Sequence, residues 1–208
     1  MGFWTEFSIC VLLFVCFSSG AKAGNGKAAS RLKRGCYKMK VCLKPFPMIV
    51  DLIENDNAGA LATLTYKSSL EDICSKQTEL ERCLKGKRCN RLDLSYTVKA
   101  VDNALSYMCG AGRSALQTGS GCFSRDDFQS GVAQCTDIMH LDTKITTLAI
   151  KMGTTQEVEF CGVFQNFLNC VHRKVNAVCS GYAADFVTTV YAYSIKQMSD
   201  DIRCSITF

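Results

Sequence analysis

The sequence predicts an all-α fold built from disulfide-stapled helical modules, set out as two tandem six-cysteine units. Three observations predict it. Cysteine is abundant, with 14 in 208 residues. Apolar residues recur at three- and four-residue intervals, and no convincing period-two strand is present. The cysteine spacing also nearly repeats. Cys36 to Cys74 covers 38 positions and Cys122 to Cys161 covers 39, and each is followed by C-x8-C, Cys74/Cys83 and Cys161/Cys170. Each half then closes with two more cysteines, Cys89 and Cys109 in the first, Cys179 and Cys204 in the second.

The helices are read from their stripes in order. The Pro45/Pro47 pair breaks the early segment, and Asn55-Asp56-Asn57-Ala58-Gly59 is a turn. Ser68-x-x-Glu71 has the form of a capping box, ahead of Leu70, Ile73, Gln77, Leu80 and Leu84 at helical spacing, up to Gly86. Leu94, Val98, Val101, Leu105 and Met108 make a second stripe that stops at Gly110. Residues 110–121 are rich in Gly and Ser and read as a linker between the halves. Ser124-x-x-Asp127 then starts a helix carrying Phe128, Val132, Cys135 and Met139. Val158, Cys161, Phe164, Leu168, Val171, Val175 and Val178 form a strong stripe ending near Gly181, and Phe186, Val190, Tyr193 and Met198 mark a last helix. Such aromatic and Met stripes are most simply core.

The N-terminus is read as removed before the protein works. The apolar run Ile9 to Phe17, followed by Ala21-Lys22-Ala23, reads as a signal peptide over 1–23. The run is well short of the roughly 20 residues that span a bilayer. Its leading segment holds Glu6 and no Lys or Arg, so the amino group itself supplies the positive charge. Residues 24–34 read as a propeptide ending in Arg31-Leu32-Lys33-Arg34, the R-x-K-R form cut by furin-like convertases. Their acidic pockets pair with clustered guanidinium and ammonium groups. Arg31, Lys33 and Arg34 are therefore the processing residues, and the mature chain is expected to begin at Gly35.

Processing changes the composition. The full chain carries 24 Lys+Arg against 19 Asp+Glu, a formal +5. Residues 1–34 take away five bases and one acid, which leaves 19 against 18 and a net +1. Bulk charge then gives no reason to expect nucleic acid. Residues 35–109 carry a net +2 and residues 122–208 a net −2. Hydrophobic residues at 48% and charged residues at 21% exclude global disorder.

Twelve cysteines remain: Cys36, Cys42, Cys74, Cys83, Cys89, Cys109, Cys122, Cys135, Cys161, Cys170, Cys179 and Cys204. An even number in an exported chain implies a disulfide framework. Structural zinc sites use C-x2-4-C pairs, whereas the shortest mature gap here is C-x5-C. No metal or cofactor is expected. Modules 35–109 and 122–208 are of a size that usually needs such staples. Cysteines nine apart on one helix lie about 13 Å apart on nearly opposite faces, and a disulfide needs Cα atoms within about 7 Å. Cys74 should therefore not bond Cys83, nor Cys161 bond Cys170. Each such helix should be pinned on two sides to two partners. The remaining connectivities stay open.

Signs of catalysis are weak. H-E-x-x-H and G-x-S-x-G are absent, as is Asn-x-Ser/Thr, and Gly110 to Ala115 fits G-x-G-x-x-A only after a helix pattern. Asn55-Asp56-Asn57 lacks the EF-hand spacing. His172 follows Cys170-Val171, but Arg173 stands where small secreted phospholipases place Asp. It reads as a helix-surface residue, and His140 has only Asp137 and Asp142 near it in sequence. The chain is read as a non-enzyme. The most polarised surface candidate is Arg82, Lys85, Lys87, Arg88 and Arg91, a basic cluster suited to an acidic receptor or a sulfated polysaccharide.

Cys36-x5-Cys42, a gap of about thirty residues, then Cys74-x8-Cys83 resembles the opening of the saposin-like pattern, which implies lipid contact. The end departs, because Cys89 and Cys109 are 20 apart instead of forming C-x5-C. As a whole the layout of signal, convertase site and cysteine density is similar to molluscan and nematode cysteine-rich helical secreted proteins, the seductin-like processed pheromone or toxin precursors. That resemblance implies a secreted, extracellular protein ligand: a pheromone, hormone-like factor or toxin acting on a receptor. Its partners would be a convertase during maturation and then a receptor, with no membrane span in the mature form. The alternatives are a carrier of lipid or another small apolar ligand, with Phe164, Phe167, Phe186 and Tyr191 as pocket walls, or a structural extracellular or egg-mass protein.

Overall fold

The computed structural model describes residues 39, 41–54, 58–65, 67–85 and 92–207. The expected signal peptide and propeptide, with Arg31, Lys33 and Arg34, lie outside the described residues. So do Cys36, the 55–57 turn, Lys87, Arg88, Cys89 and Arg91. Among the described residues the chain is helical, with no strand.

In the first half α1 (Pro47–Glu54) begins on Pro47, which needs no amide hydrogen at the first helical position. A short α2 (Gly59–Leu64) follows, then the two long helices α3 (Lys67–Leu84) and α4 (Leu92–Cys109). The expected stripes point inward: Leu70, Ile73 and Leu80 on α3, and Val98, Val101, Leu105 and Met108 on α4, are buried. Helix α3 starts one residue before Ser68, so Ser68 falls inside its first turn.

The expected linker is the first correction. Within 110–121 the chain folds into α5 (Arg113–Thr118) and enters α6 (Ser120–Phe123). Ala115 and Leu116 are buried there. Two of the glycines, Gly112 and Gly119, are required by packing. A Cβ on Gly112 would come within 2.8 Å of the Tyr107 ring and 3.0 Å of Phe186, and one on Gly119 would overlap the Phe123 ring. Small residues are common in linkers and equally common where helices crowd, and composition does not separate the two cases.

In the second half α7 (Asp126–Lys151), α8 (Phe160–Val178) and α9 (Gly181–Asp201) pack side by side. The Ser124 cap is a second correction. Helix α7 begins two residues later, with Arg125 extended before it. The Ser124 hydroxyl instead donates to the carbonyls of Ser120 and Gly121. Arg125 pairs with Asp127, Nη2 to Oδ2 at 2.6 Å, and holds that carboxyl below its ordinary value. At α9 the cap is Ser180, whose Oγ accepts from the Ala183 amide at 3.3 Å.

Among the described residues five disulfides staple these helices, with Cα separations of 5.3 to 5.8 Å. Helix α3 is pinned twice, Cys74 to Cys109 and Cys83 to Cys42. Helix α8 is pinned twice, Cys161 to Cys204 and Cys170 to Cys135, and Cys122 joins Cys179. Neither C-x8-C pair is bonded to itself, as helix geometry requires. Numbered one to six within its half, the second half pairs one with five, two with four and three with six. The two described bridges of the first half are its two-with-four and three-with-six.

The two tandem six-cysteine halves share one main core. One buried cluster runs from Met39 and Leu52 through Leu105, Phe123 and Phe128 to Val171, Phe186 and Val190. Helix α4 of the first half packs along α9 of the second, and α2 packs on α6. Small and branched residues on those helices, Ala100, Val101 and Ala104 on one and Ala183, Ala184 and Val187 on the other, are buried and permit close approach. Three bridges confined to 122–208 do not make that half self-contained.

Candidate functional site

The basic cluster is the first candidate. Of its five residues the structure places Arg82 and Lys85, both exposed at the end of α3. They border an open groove of about 570 Å³, whose other lining residues are Thr78, Glu81, Leu84 and Asp102 of α4. Burial, and then the nearby Glu81 charge, push the Asp102 carboxyl above its ordinary value. Its Oδ1 is buried without a hydrogen-bond partner. Two cations therefore face two carboxylates, so the described part of the cluster is not a purely cationic patch. A groove of this kind suits a polar partner carrying both signs better than a polyanion.

Among the described residues, the four aromatic residues read as pocket walls fall into two different buried clusters, Phe164 in one and Phe167, Phe186 and Tyr191 in the other. Phe164 is 2% exposed and stacks near Phe160 in a small cluster with Tyr96 and Met198. Phe167 meets Tyr191 edge to face, ring centroids 5.2 Å apart. Phe186 packs against Phe123 and Tyr107, both at 5.8 Å. Each of the four has at least one aromatic ring as a neighbour. A second groove, of about 360 Å³, lies between the end of α9 and residues 204–206, and none of the four lines it.

His172 is a surface residue of α8. Its Nε2 lies 3.0 Å from Asp185 Oδ1 on α9, and both side chains are well exposed. The pair ties two adjacent helices, and the cysteines nearest His172 in sequence, Cys170 and Cys179, are both bonded. His140 lies half-buried on α7. Among the described residues no group of His, Cys, Asp and Glu side chains has the arrangement to hold a metal ion, and no helix is long and apolar enough to cross a membrane.

The polar seam between the halves was missed by sequence reasoning. Tyr96 donates to Asp201 Oδ2 at 2.6 Å, Lys99 to Gln197 Oε1 at 2.7 Å, and Asn103 to the Tyr193 carbonyl at 3.3 Å. Tyr107 stacks on Tyr193, 5.3 Å between centroids, and Ser114 meets the Tyr182 hydroxyl at 3.0 Å. The partners run in opposite directions along α4 and α9, so those helices are antiparallel over most of their length. The signal was available as a second stripe on α4 (Tyr96, Lys99, Asn103, Tyr107) beside the apolar one. Burial of Tyr107 raises its hydroxyl above the ordinary tyrosine value, which keeps it a neutral donor or acceptor at this seam.

Compared with protein-family models, curated proteins and solved structures, the chain matches none.

Proposed function

We propose that this chain is a secreted, convertase-processed protein ligand: a pheromone, hormone-like factor or toxin that acts by presenting its surface to an extracellular receptor. The observation that carries the reading is that the aromatic side chains available to wall a ligand chamber pack against one another instead. The helices around them are cross-linked by five disulfides. A disulfide-stapled helical body suits a ligand that must stay folded outside the cell, where disulfides persist and proteases are present. The R-x-K-R sequence at Arg31–Arg34 supports activation by cleavage, a step that a carrier rarely needs.

The test is intact mass and N-terminal sequence of protein secreted from eukaryotic cells. The expected product begins at Gly35 and gains 12 hydrogens on full reduction. An N-terminus at Gly24 in functional material would remove the processed-ligand reading. So would a stoichiometric apolar molecule recovered by solvent extraction, which would mark a carrier.

A further inference from the structure

Two carboxylates face one another across the α3/α4 seam with no cation between them. Cys74 on α3 is bonded to Cys109 on α4, with Cα atoms 5.5 Å apart. Seven residues along α3 from that bridge stands Glu81, and seven residues back along α4 stands Asp102. Seven residues are close to two full helical turns, so Glu81 and Asp102 meet much as the cysteines do. Both line the open groove of about 570 Å³, with Thr78 one turn before Glu81 and with Arg82 and Lys85 towards the end of α3. Among the described residues the side chains of Glu81, Arg82, Lys85 and Asp102 have no salt-bridge or hydrogen-bond partner. Burial and the facing Glu81 charge both oppose ionisation of Asp102. A half-buried carboxylate opposite a second acid costs the fold stability. A side chain in that state is expected where a bound group brings the missing positive charge.

We propose that this groove binds a small zwitterion of the amino-acid class, its ammonium group between Glu81 and Asp102 and its carboxylate at Arg82 and Lys85. An ammonium group carries three donors, and Glu81, Asp102 and the Thr78 hydroxyl line the groove as three acceptors. The acids and bases are set apart along α3. Glu81 and Lys85 are four residues apart, about 6 Å of helical rise. The groove therefore fits a ligand whose two charges are separated by several bonds, an ω-amino acid, better than an α-amino acid. A metal ion is a poorer fit, because no group of His, Cys, Asp and Glu side chains among the described residues has the arrangement to hold one. A ligand of one sign alone would meet two like charges wherever it lay in the groove.

The test titrates the mature, fully oxidised protein with δ-aminovalerate, glycine, pentylamine and valerate, followed by backbone amide chemical shifts. δ-Aminovalerate should give saturable shifts along α3 and α4, with an affinity about tenfold above each of the other three. Asp102→Asn and Glu81→Gln should each weaken it by about tenfold and leave the helical circular dichroism unchanged. Asp102→Asn should at the same time melt at a higher temperature than the parent, which separates loss of the ligand from loss of the fold. Lys85→Gln should weaken δ-aminovalerate and leave pentylamine as before. The absence of saturable shifts at tens of millimolar overturns the proposal, as does binding that ignores Asp102→Asn. Pentylamine or valerate binding as tightly as δ-aminovalerate overturns the two-ended site.

Discussion

Cys36 and Cys89 are positions one and five of the first half, and the second half joins its positions one and five. With two-to-four and three-to-six already shared by both halves, Cys36 is predicted to bond Cys89. The perturbation is Cys36→Ser. Its magnitude follows from nesting. Taken alone, a bridge between 36 and 89 would close 53 residues, worth roughly 4 kcal/mol of unfolded-state entropy. The Cys42–Cys83 bridge lies inside that loop, so the ring actually closed consists of 36–42 and 83–89, six steps on each side. For a ring of that size the loss is roughly 3 kcal/mol. The corresponding Cys122–Cys179 bridge surrounds Cys135–Cys170 with arms of 13 and nine, and its removal should cost a few tenths of a kcal/mol more. Alkylation before reduction, followed by peptide mass mapping, should find one new thiol in Cys36→Ser, on Cys89, with the other five bridges intact. Guanidinium titration should then show the smaller loss. A thiol on any other cysteine refutes the repeated pairing order. A loss near the larger figure, with Cys89 free, refutes the nesting argument.

Further outcomes follow from individual contacts. Asp102→Asn should stabilise the protein at neutral pH. The folded-state pKa of Asp102 is raised, so its favourable contribution is complete below the unfolded aspartate value and lost as pH rises through the folded one. The gain in melting temperature should therefore be present at pH 7 and shrink towards pH 4, and a gain independent of pH would contradict the assignment. Gly119→Ala places a methyl group into the fully buried Phe123 ring and should destabilise by about 1–3 kcal/mol, read by denaturant titration. Tyr96→Phe removes the hydroxyl that reaches Asp201 across the seam and should lose about 1 kcal/mol, with the helix content unchanged. Separately expressed 35–109 should fail to unfold cooperatively, because the buried faces of α4 would be left without α9.

The helices were legible because their stripes are long and regular. Leu70 to Leu84 and Phe164 to Val178 each hold the same face through several turns, and 1.5 Å of rise per residue was enough to forbid two of the disulfides. What was not legible depends on contacts between elements. Gly112 and Gly119 look like linker residues, and only the rings of Tyr107 and Phe123 show why a side chain is excluded there. The four aromatics Phe164, Phe167, Phe186 and Tyr191 have the composition of a pocket and the packing of a core. Whether apolar surface encloses a void depends on how the helices cross, and stripe analysis does not read that. Arg82 and Lys85 were found as charges, but the acid opposing them, Asp102, comes from the next helix.

The pairing order bears on how one chain came to hold a single core. Helices α3 and α8 occupy the same place in the cysteine order of their halves, each carrying the C-x8-C pair, and α4 and α9 are the helices that follow them. It is this following pair, α4 and α9, that packs antiparallel across the junction between halves. Two copies of one stapled unit joining through the same helix of each would give that arrangement, because a two-fold interface sets like against like in opposite directions. Joining them in one chain would then free each side of the seam to change independently. Tyr96, Lys99 and Asn103 on α4 bond Asp201, Gln197 and the Tyr193 carbonyl on α9, so donors from one half meet acceptors on the other. An exchange of partners within that cysteine order would break two bridges at once.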